Sequence, residues 1–197
     1  MKHIGRKLYH LFGGLGLLAL YFLLGRRNAL LCYGILFLAT LAIDTARLKI
    51  PAFNRFFYAH FSSFLRKNEQ NKLTGTAPYV LGIGLTLLSY RAEIAAAAVC
   101  FLAFGDVAAT TIGERWGRTK IAGDKSLEGT LAFAVIAAAS GFALLLAGVH
   151  LTLGLIVAGA LVAAGVELAP LRVNDNLMIP VVSGGAMELI ARLGSGT

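Results

Sequence analysis

Seven apolar segments, separated by polar loops, constrain the fold of this chain more than any other feature. They lie at residues 8–24, 29–43, 73–90, 94–112, 130–149, 151–166 and 177–193. A helix needs about 20 apolar residues to cross a bilayer, so the shorter segments require shielded ends or a thinned bilayer. Only 14% of the residues are charged, whereas soluble domains average about 25%. We therefore predict an all-α, polytopic integral membrane helix bundle of about seven transmembrane helices, with residues 1–197 forming a single domain.

The segment at residues 51–67 differs from its neighbours because it mixes aromatic with polar residues. Its five Phe and one Tyr alternate with polar residues such as Asn54, Arg55 and His60. An amphipathic helix at the membrane interface buries the aromatic side chains and leaves the polar ones in water. A soluble loop would leave the aromatic side chains in water, so we predict an interfacial helix here.

Lysine and arginine are distributed unequally between the two predicted membrane faces. Of the 18 Lys and Arg residues, 14 fall on the face that holds the N-terminus and residues 44–72, 113–129 and 167–176. Cytoplasmic loops of membrane proteins carry an excess of these residues. The pattern predicts that the N-terminus and the active site are cytoplasmic. It also explains the net charge of +8 without a nucleic-acid partner.

The stretch FGDVAATTIGERWGRTKIAGDKSLEGT, at residues 104–130, carries the strongest functional signal. Asp106 lies inside an apolar segment, where an ionised side chain costs about 2.5–3.5 kcal/mol, so a functional role is the default interpretation. The loop that follows adds four cations, four glycines and three carboxylates, namely Arg115, Arg118, Lys120 and Lys125, Gly113, Gly117, Gly123 and Gly129, and Glu114, Asp124 and Glu128. Such a set suits a magnesium-bound polyphosphate. The alternative is a loop that is charged only because it lies in water.

The end of this stretch, GDKSLEGT, superficially resembles a P-loop. A P-loop follows a strand within a βαβ unit, and we expect neither here. Lys125 and Ser126 at a helix N-terminus can nevertheless hold a phosphate, because the free N–H groups and the helix dipole attract an anion. Glu128 lies in the first turn of the same predicted helix.

The motif RKLYH near the start of the chain places basic side chains on one helix face. Arg6 and His10 are four residues apart, and Lys7 follows Arg6; residues at that spacing are neighbours on a helix surface. The group can neutralise a polyphosphate. The alternative is a basic flank that only orients the first helix.

Two further pairs of polar residues lie where the second apolar segment ends and the third begins. Asp44 and Arg47 are three residues apart, and Glu69 and Thr74 belong to an E-x(4)-TG motif. They are candidates for ligand binding. The alternative for each is a local ion pair or a helix cap.

The last cluster of polar residues lies between the sixth and seventh segments. Glu167 ends one segment, and Asp175 and Asn176 precede the next. They offer oxygen ligands close to a helix start. The alternative is an N-cap, where Asn and Asp are favoured.

The chain resembles the CTP-dependent lipid kinases in a series of motifs that occur in the same order. These motifs are RKLYH, D-x-x-R, E-x(4)-TG, FGDVAATTIG, GDKSLEGT, a Glu near the end of a segment and VNDN-L-x-IP. This family includes dolichol kinase, phytol kinase and the yeast-type diacylglycerol kinase, and the resemblance covers residues 6–180. It implies phosphate transfer from CTP to the hydroxyl of a membrane lipid alcohol. The chain has no match to the extra N-terminal spans of eukaryotic dolichol kinases, so we expect a bacterial-type, polyprenol kinase-like member of the inner membrane. A more remote similarity is to phosphatidate cytidylyltransferases.

The motifs and the resemblance together predict one site for CTP and Mg²⁺. The predicted catalytic residues are Asp106, Lys125 and Glu128, with Asp106 favoured as proton acceptor. The predicted metal ligands are Asp106, Asp175, Glu128 and Glu167. The predicted nucleotide-binding residues are Arg6, Lys7, His10, Gly105, Gly113, Arg118, Lys120, Gly123, Ser126, Gly129 and Asn176, and the further candidates are Asp44, Arg47, Glu69 and Thr74.

Two other functions stay open, and so do two properties of the kinase itself. A cytidylyltransferase would move the other end of CTP onto a phosphatidate-like lipid. A small transporter is disfavoured, because transporters place polar sites near the midplane of repeated halves and this chain has no visible repeat. Polyprenol or dolichol, phytol and diacylglycerol are equally acceptable lipids, and the sequence favours no oligomeric state.

Overall fold

A computed structural model describes residues 4–65, 69–170 and 173–194. Four cations of the predicted basic face, Lys2, Arg66, Lys67 and Arg172, lie outside the described residues, as does the end of the predicted interfacial segment. The elements are α1 (Ile4–Lys49), α2 (Pro51–Phe61), the 3-10 helix η1 (Ser62–Phe64), α3 (Thr76–Ser89), α4 (Ala92–Trp116), β1 (Lys120–Ala122), β2 (Lys125–Ser126), α5 (Leu127–Leu146), α6 (Leu153–Leu168) and α7 (Asp175–Gly194).

Helix α1 contains the first two predicted segments, joined at a sharp break. Its 46 residues would measure roughly 70 Å if straight. Gly25, however, has a φ of 74° and a ψ of 159°, a backbone conformation that is not helical. Glycine adopts positive φ without a steric penalty. The Tyr33 hydroxyl donates to the Leu17 carbonyl, and these residues are equally distant from Gly25 along the chain. The two arms of α1 therefore run back along each other, and both ends of α1 lie at one end of the molecule.

Helix α4 occupies the centre of the bundle. Its residues from Ile94 to Ala103 are all buried, and it packs against α1, α3, α5, α6 and α7. The most extensive of these contacts is with α5, and small residues lie between the two helices. A Cβ atom at Gly105 would lie 2.7–2.8 Å from the Phe133 ring, and one at Gly141 would lie 3.0 Å from the Phe101 ring. The carboxylate of Asp106 is thus carried by the best-buried helix of the protein.

The lengths and hydropathies of the helices are those of a membrane protein. Helices α1, α4, α5 and α7 are long and apolar enough to cross a membrane, and α3 and α6 are shorter apolar helices of 14 and 16 residues. The prediction of an all-α helical membrane protein is therefore confirmed at this level.

The loop between α4 and α5 contains a small β-hairpin, so the expectation that no strand would occur there is wrong. Strands β1 and β2 pair antiparallel, and Gly123 forms the turn with a φ of 54°. The Lys120 ammonium donates to the Asp124 carbonyl at 2.8 Å and closes the turn. Ser126 then caps α5 by accepting a hydrogen bond from the Gly129 N–H at 3.2 Å. The hairpin directs Lys125 toward the end of α6 and the start of α7.

Helix α2 covers only the first part of the predicted interfacial segment. It ends at Phe61, and η1 continues the chain to Phe64. None of its residues is buried, and Phe56, Phe61 and Phe64 each expose about half of their surface (45–56%). An exposed row of aromatic side chains is typical of a helix that lies against a membrane.

Candidate active site

The main cavity of the protein lies where five helix ends meet. It has a volume of about 670 Å³, within the range of small-molecule sites. It is bounded by the starts of α1, α5 and α7 and by the ends of α4 and α6. The predicted residues that line it are Arg6, Asp106, Gly113, Lys120, Gly123, Lys125, Ser126, Gly129, Glu167 and Asp175. Residues from across the sequence therefore meet in one space, as the motifs predicted.

Asp106 forms the deep wall of this cavity. The residue is 7% exposed, and its Oδ2 lies 3.8 Å from Nδ1 of His10, which the first arm of α1 supplies. Thr110 and Gly113 also line the cavity, because positions four and seven residues along a helix lie on the same face. One face of α4 thus carries a carboxylate at depth and a glycine near the mouth.

Lys125 connects the hairpin to the end of α6 and the start of α7. Its ammonium donates to the Glu167 carbonyl oxygen and lies 3.4 Å from Oε1 of Glu167 and 3.7 Å from Oδ2 of Asp175. Its side chain is 29% exposed, so these ion pairs are partly screened by water. A polyphosphate in the cavity would meet an ammonium group that is already held in position by two carboxylates.

The carboxylates of the cavity are hard oxygen donors of the kind that magnesium prefers. Asp106, Glu167 and Asp175 all line the space, but no three His, Cys, Asp or Glu side chains in the described ranges converge as a ready-made metal cluster. Magnesium is usually bound by one or two carboxylates together with substrate phosphates and water. The hard oxygen donors present therefore suit a shared site, in which the phosphates supply the remaining ligands.

Glu128, predicted as a catalytic and metal-binding residue, does not line the cavity. Both of its carboxylate oxygens accept from the Thr119 N–H, at 3.2 and 3.3 Å, on the exposed side of the hairpin. Glu128 therefore stabilises the hairpin by accepting hydrogen bonds from Thr119.

Three residues predicted to bind the nucleotide also lie away from the cavity wall. Gly105 faces the Phe133 ring, so its missing side chain serves helix packing. Arg118 is exposed beyond the end of α4. Lys7 is buried and pairs with Glu114 of α4 at 2.8 Å. Glu114, one of the loop carboxylates that the sequence suggested for a magnesium-bound polyphosphate, itself lines the cavity.

A second, much smaller cavity lies beside the first. It has a volume of about 20 Å³, and Arg6 lines both cavities. Four other predicted residues surround it, namely His10, Glu69, Thr74 and Asn176. Its remaining wall is formed by Tyr9, Phe64, Leu65, Gly75 and Thr76. The predicted residues are therefore divided between two adjoining spaces.

Asp44 and Arg47 form a buried lock on the loop before α3. Arg47 is fully buried, and its Nε donates to Asp44 Oδ1 at 2.7 Å. Its remaining N–H groups donate to the carbonyls of Glu69, at 3.0 Å, and Lys72. Asp44 Oδ2 accepts from the N–H and the hydroxyl of Thr74 at 2.7 and 2.9 Å. Of the two interpretations left open by the sequence, the geometry favours the structural ion pair.

We expect Arg47→Met to destabilise the protein strongly. The substitution keeps the volume but leaves Asp44 without its buried countercharge, which typically costs about 3–5 kcal/mol. Thermal unfolding of the purified protein in detergent should show a large fall in melting temperature. Arg55→Met, on the exposed side of α2, is the matched control and should melt like the wild type. If Arg47→Met melted normally but no longer bound nucleotide, the lock interpretation would be wrong.

The fold and the two cavities define a helical membrane protein that gathers carboxylates, basic side chains and glycines at one end of its bundle. The chain is 36% identical to CTP-dependent diacylglycerol kinase 1 of Schizosaccharomyces pombe over 90 residues, which are 45% of this chain and 41% of the relative. It is 32% identical to the protein of the same name from Eremothecium gossypii over 139 residues, 68% of this chain and 44% of the relative. The Saccharomyces cerevisiae protein of that name is 29% identical over 137 residues, 66% of this chain and 47% of the relative.

These matches confirm the resemblance to the CTP-dependent lipid kinases: the chain is similar to part of three proteins named CTP-dependent diacylglycerol kinase 1. It spans less than half the length of these relatives. No family model matches the chain, and no solved structure matches it.

Proposed function

We propose that this protein transfers the γ-phosphate of CTP to the hydroxyl of a membrane lipid alcohol. The observation that carries the proposal is the meeting of Asp106, Lys125 and Asp175 in one cavity of about 670 Å³. The matched relatives are named for CTP and for diacylglycerol, so diacylglycerol is the first acceptor to test. Polyprenol, dolichol and phytol offer the same hydroxyl on a long apolar chain.

In the proposed reaction, the acceptor oxygen forms a bond to the γ-phosphorus and the bond from that phosphorus to the β–γ bridging oxygen breaks. CDP leaves, and the hydroxyl proton passes to a carboxylate, for which Asp106 is best placed by its depth. Lys125, Lys120 and Arg6 hold the phosphates and stabilise the charge that develops during transfer. Phosphoryl transfer depends mainly on such positioning and electrostatic stabilisation.

Asp106 and Asp175, with Glu167 beside them, are the residues that would hold Mg²⁺. When bound, the ion neutralises phosphate oxygens as charge develops on them. The carboxylates also keep Lys125 in position through its contacts with Glu167 and Asp175. Lys125 and these two carboxylates therefore lie next to each other on the wall of the cavity.

The proposed arrangement in the membrane is a single catalytic unit with seven spans. The two arms of α1 count as two spans, and α3 to α7 supply the other five, with α2 at the interface. The basic face then lies in the cytoplasm of a bacterial cell, where CTP is made, and the lipid substrate is in the inner membrane. The distribution of Lys and Arg supports this orientation.

The reaction class is tested by following the two ends of CTP. We expect purified protein, given diacylglycerol and Mg²⁺, to move label from the γ-position of CTP to the lipid, and to release CDP. The control uses CTP labelled at the α-phosphate, which should leave the lipid unlabelled. ATP, GTP and UTP, tested in parallel at the same concentration, should each support a lower rate.

Two outcomes of this assay would contradict the proposal. Label transferred from the α-position, with release of pyrophosphate, would indicate the cytidylyltransferase. No transfer from any nucleotide to any of the lipid alcohols, with uptake of a solute into sealed vesicles in the absence of nucleotide, would indicate the transporter.

A further inference from the structure

The small cavity beside the main one has room for about one polar group. Its volume of about 20 Å³ slightly exceeds the ~10–15 Å³ that a single water needs. It lies between the start of α1, η1, the loop before α3 and the start of α7. Arg6 is shared with the main cavity, so a group in this space would stand next to the proposed phosphate site.

Asn176, which lines this space, carries an unsatisfied side-chain oxygen. The residue is 3% exposed, and its Oδ1 has no hydrogen-bond partner among the residues that the structure describes. Its Nδ2 donates to the Gly75 carbonyl at 3.3 Å, which fixes the orientation of the amide because a carbonyl only accepts. A buried acceptor without a donor is destabilising because it has lost its hydrogen bond to water. The oxygen therefore calls for a donor that the described chain does not supply.

The opposite wall of the cavity belongs to the segment that faces the membrane. Phe64 and Leu65 line it, and they follow α2 and its exposed aromatic residues. The segment packs closely on α1, since a Cβ atom at Gly5 would lie 3.0 Å from the Ser63 carbonyl oxygen. The cavity is thus placed between an apolar surface suited to lipid and the phosphate site.

We propose that, before CTP binds, this cavity receives the hydroxyl of the lipid acceptor, which donates its hydrogen bond to Asn176 Oδ1. The acceptor class rests on the proposed function. A ribose hydroxyl of the nucleotide offers the same donor, but the apolar side chains of Phe64 and Leu65 in the wall suit a lipid better than a sugar. Asn176, predicted from the sequence to bind the nucleotide, is thereby assigned to the lipid.

The test compares an alcohol with the same lipid lacking its hydroxyl. Short-chain diacylglycerol and the matching diester of 1,2-propanediol compete for a labelled diacylglycerol on the protein in lipid nanodiscs, without CTP. One neutral hydrogen bond contributes about 0.5–1.5 kcal/mol, so the wild type should prefer the alcohol by about 2–12-fold. Asn176→Ala should bind both lipids equally. Ser183→Ala, a buried polar change further along α7, should leave the preference intact.

Two results would overturn this assignment. One is a wild type that binds the alcohol and the propanediol diester equally, which needs no variant to fold. The other is an Asn176→Ala protein that keeps the lipid preference but loses discrimination between CTP and its 2′- or 3′-deoxy forms, which would assign the cavity to the ribose. Because binding is measured without turnover, these results are separate from failure of the kinase proposal, which the γ-label assay detects.

Discussion

Asp106→Asn should reduce phosphate transfer by about 10³-fold while the protein still inserts and folds. The substitution keeps the shape of the side chain but removes its charge, and with it both a metal ligand and the favoured proton acceptor. Loss of a general base alone typically costs about 10²–10⁴-fold. The measurement is the initial rate of lipid phosphorylation at saturating CTP and Mg²⁺, per amount of protein that elutes as a single species in detergent.

The matched control for this variant is Glu93→Gln. Glu93 lies in the first turn of α4, at the far end of the same helix from the cavity. It makes the same acid-to-amide change, so its rate and melting temperature should equal those of the wild type. A near wild-type rate for Asp106→Asn would remove Asp106 from the reaction and with it the proposed metal site.

Lys125→Met should produce the second large loss, on the order of 10²–10³-fold in kcat. The ammonium group is the cation that the carboxylates of α6 and α7 already hold in the cavity. Removing one preorganised stabilising group from a transition state typically has an effect of this size. The variant also leaves Glu167 and Asp175 without their shared cation, so we expect a moderate fall in melting temperature as well.

A cation elsewhere on the same loop separates the specific role of Lys125 from general electrostatics. Arg115 lies with its guanidinium 4.8 Å from the centre of the Trp116 ring and is exposed. Arg115→Ala removes the same unit of charge and should change kcat less than about 2-fold by the weak effect of exposed charges. Equal losses for both variants would indicate that only the net charge of the loop matters.

The arrangement of helices was largely predictable, because each apolar segment in the sequence marks a stretch that has to avoid water. Both arms of α1 and the helices from α3 to α7 follow the seven segments, and the polar ends that hold Asp106, Lys125 and Asp175 follow from the loops between them. The position of Asp106 was predictable for a simple reason: a carboxylate in an apolar run is too costly to be there without a role.

Side-chain direction was the part that could not be derived. Glu128 and Lys125 are three residues apart, yet the hairpin turns one outward to Thr119 and the other inward to Glu167. That hairpin depends on Gly123 and on a hydrogen bond between Lys120 and the backbone, which no apolar pattern reports. The lock between Asp44 and Arg47 looked the same in sequence as a binding pair, because only the fold brings the loop at Thr74 against it.

The contact between Gly105 and the Phe133 ring has a consequence for the chemistry at the membrane surface. Asp106 is the next residue on α4, and only Ser126 separates Lys125 from the start of α5. The distance between the Asp106 carboxylate and the Lys125 ammonium therefore depends on the separation of α4 and α5. A methyl group added at residue 105 would push α4 and α5 apart. It would increase the distance between the two charged groups without altering either side chain.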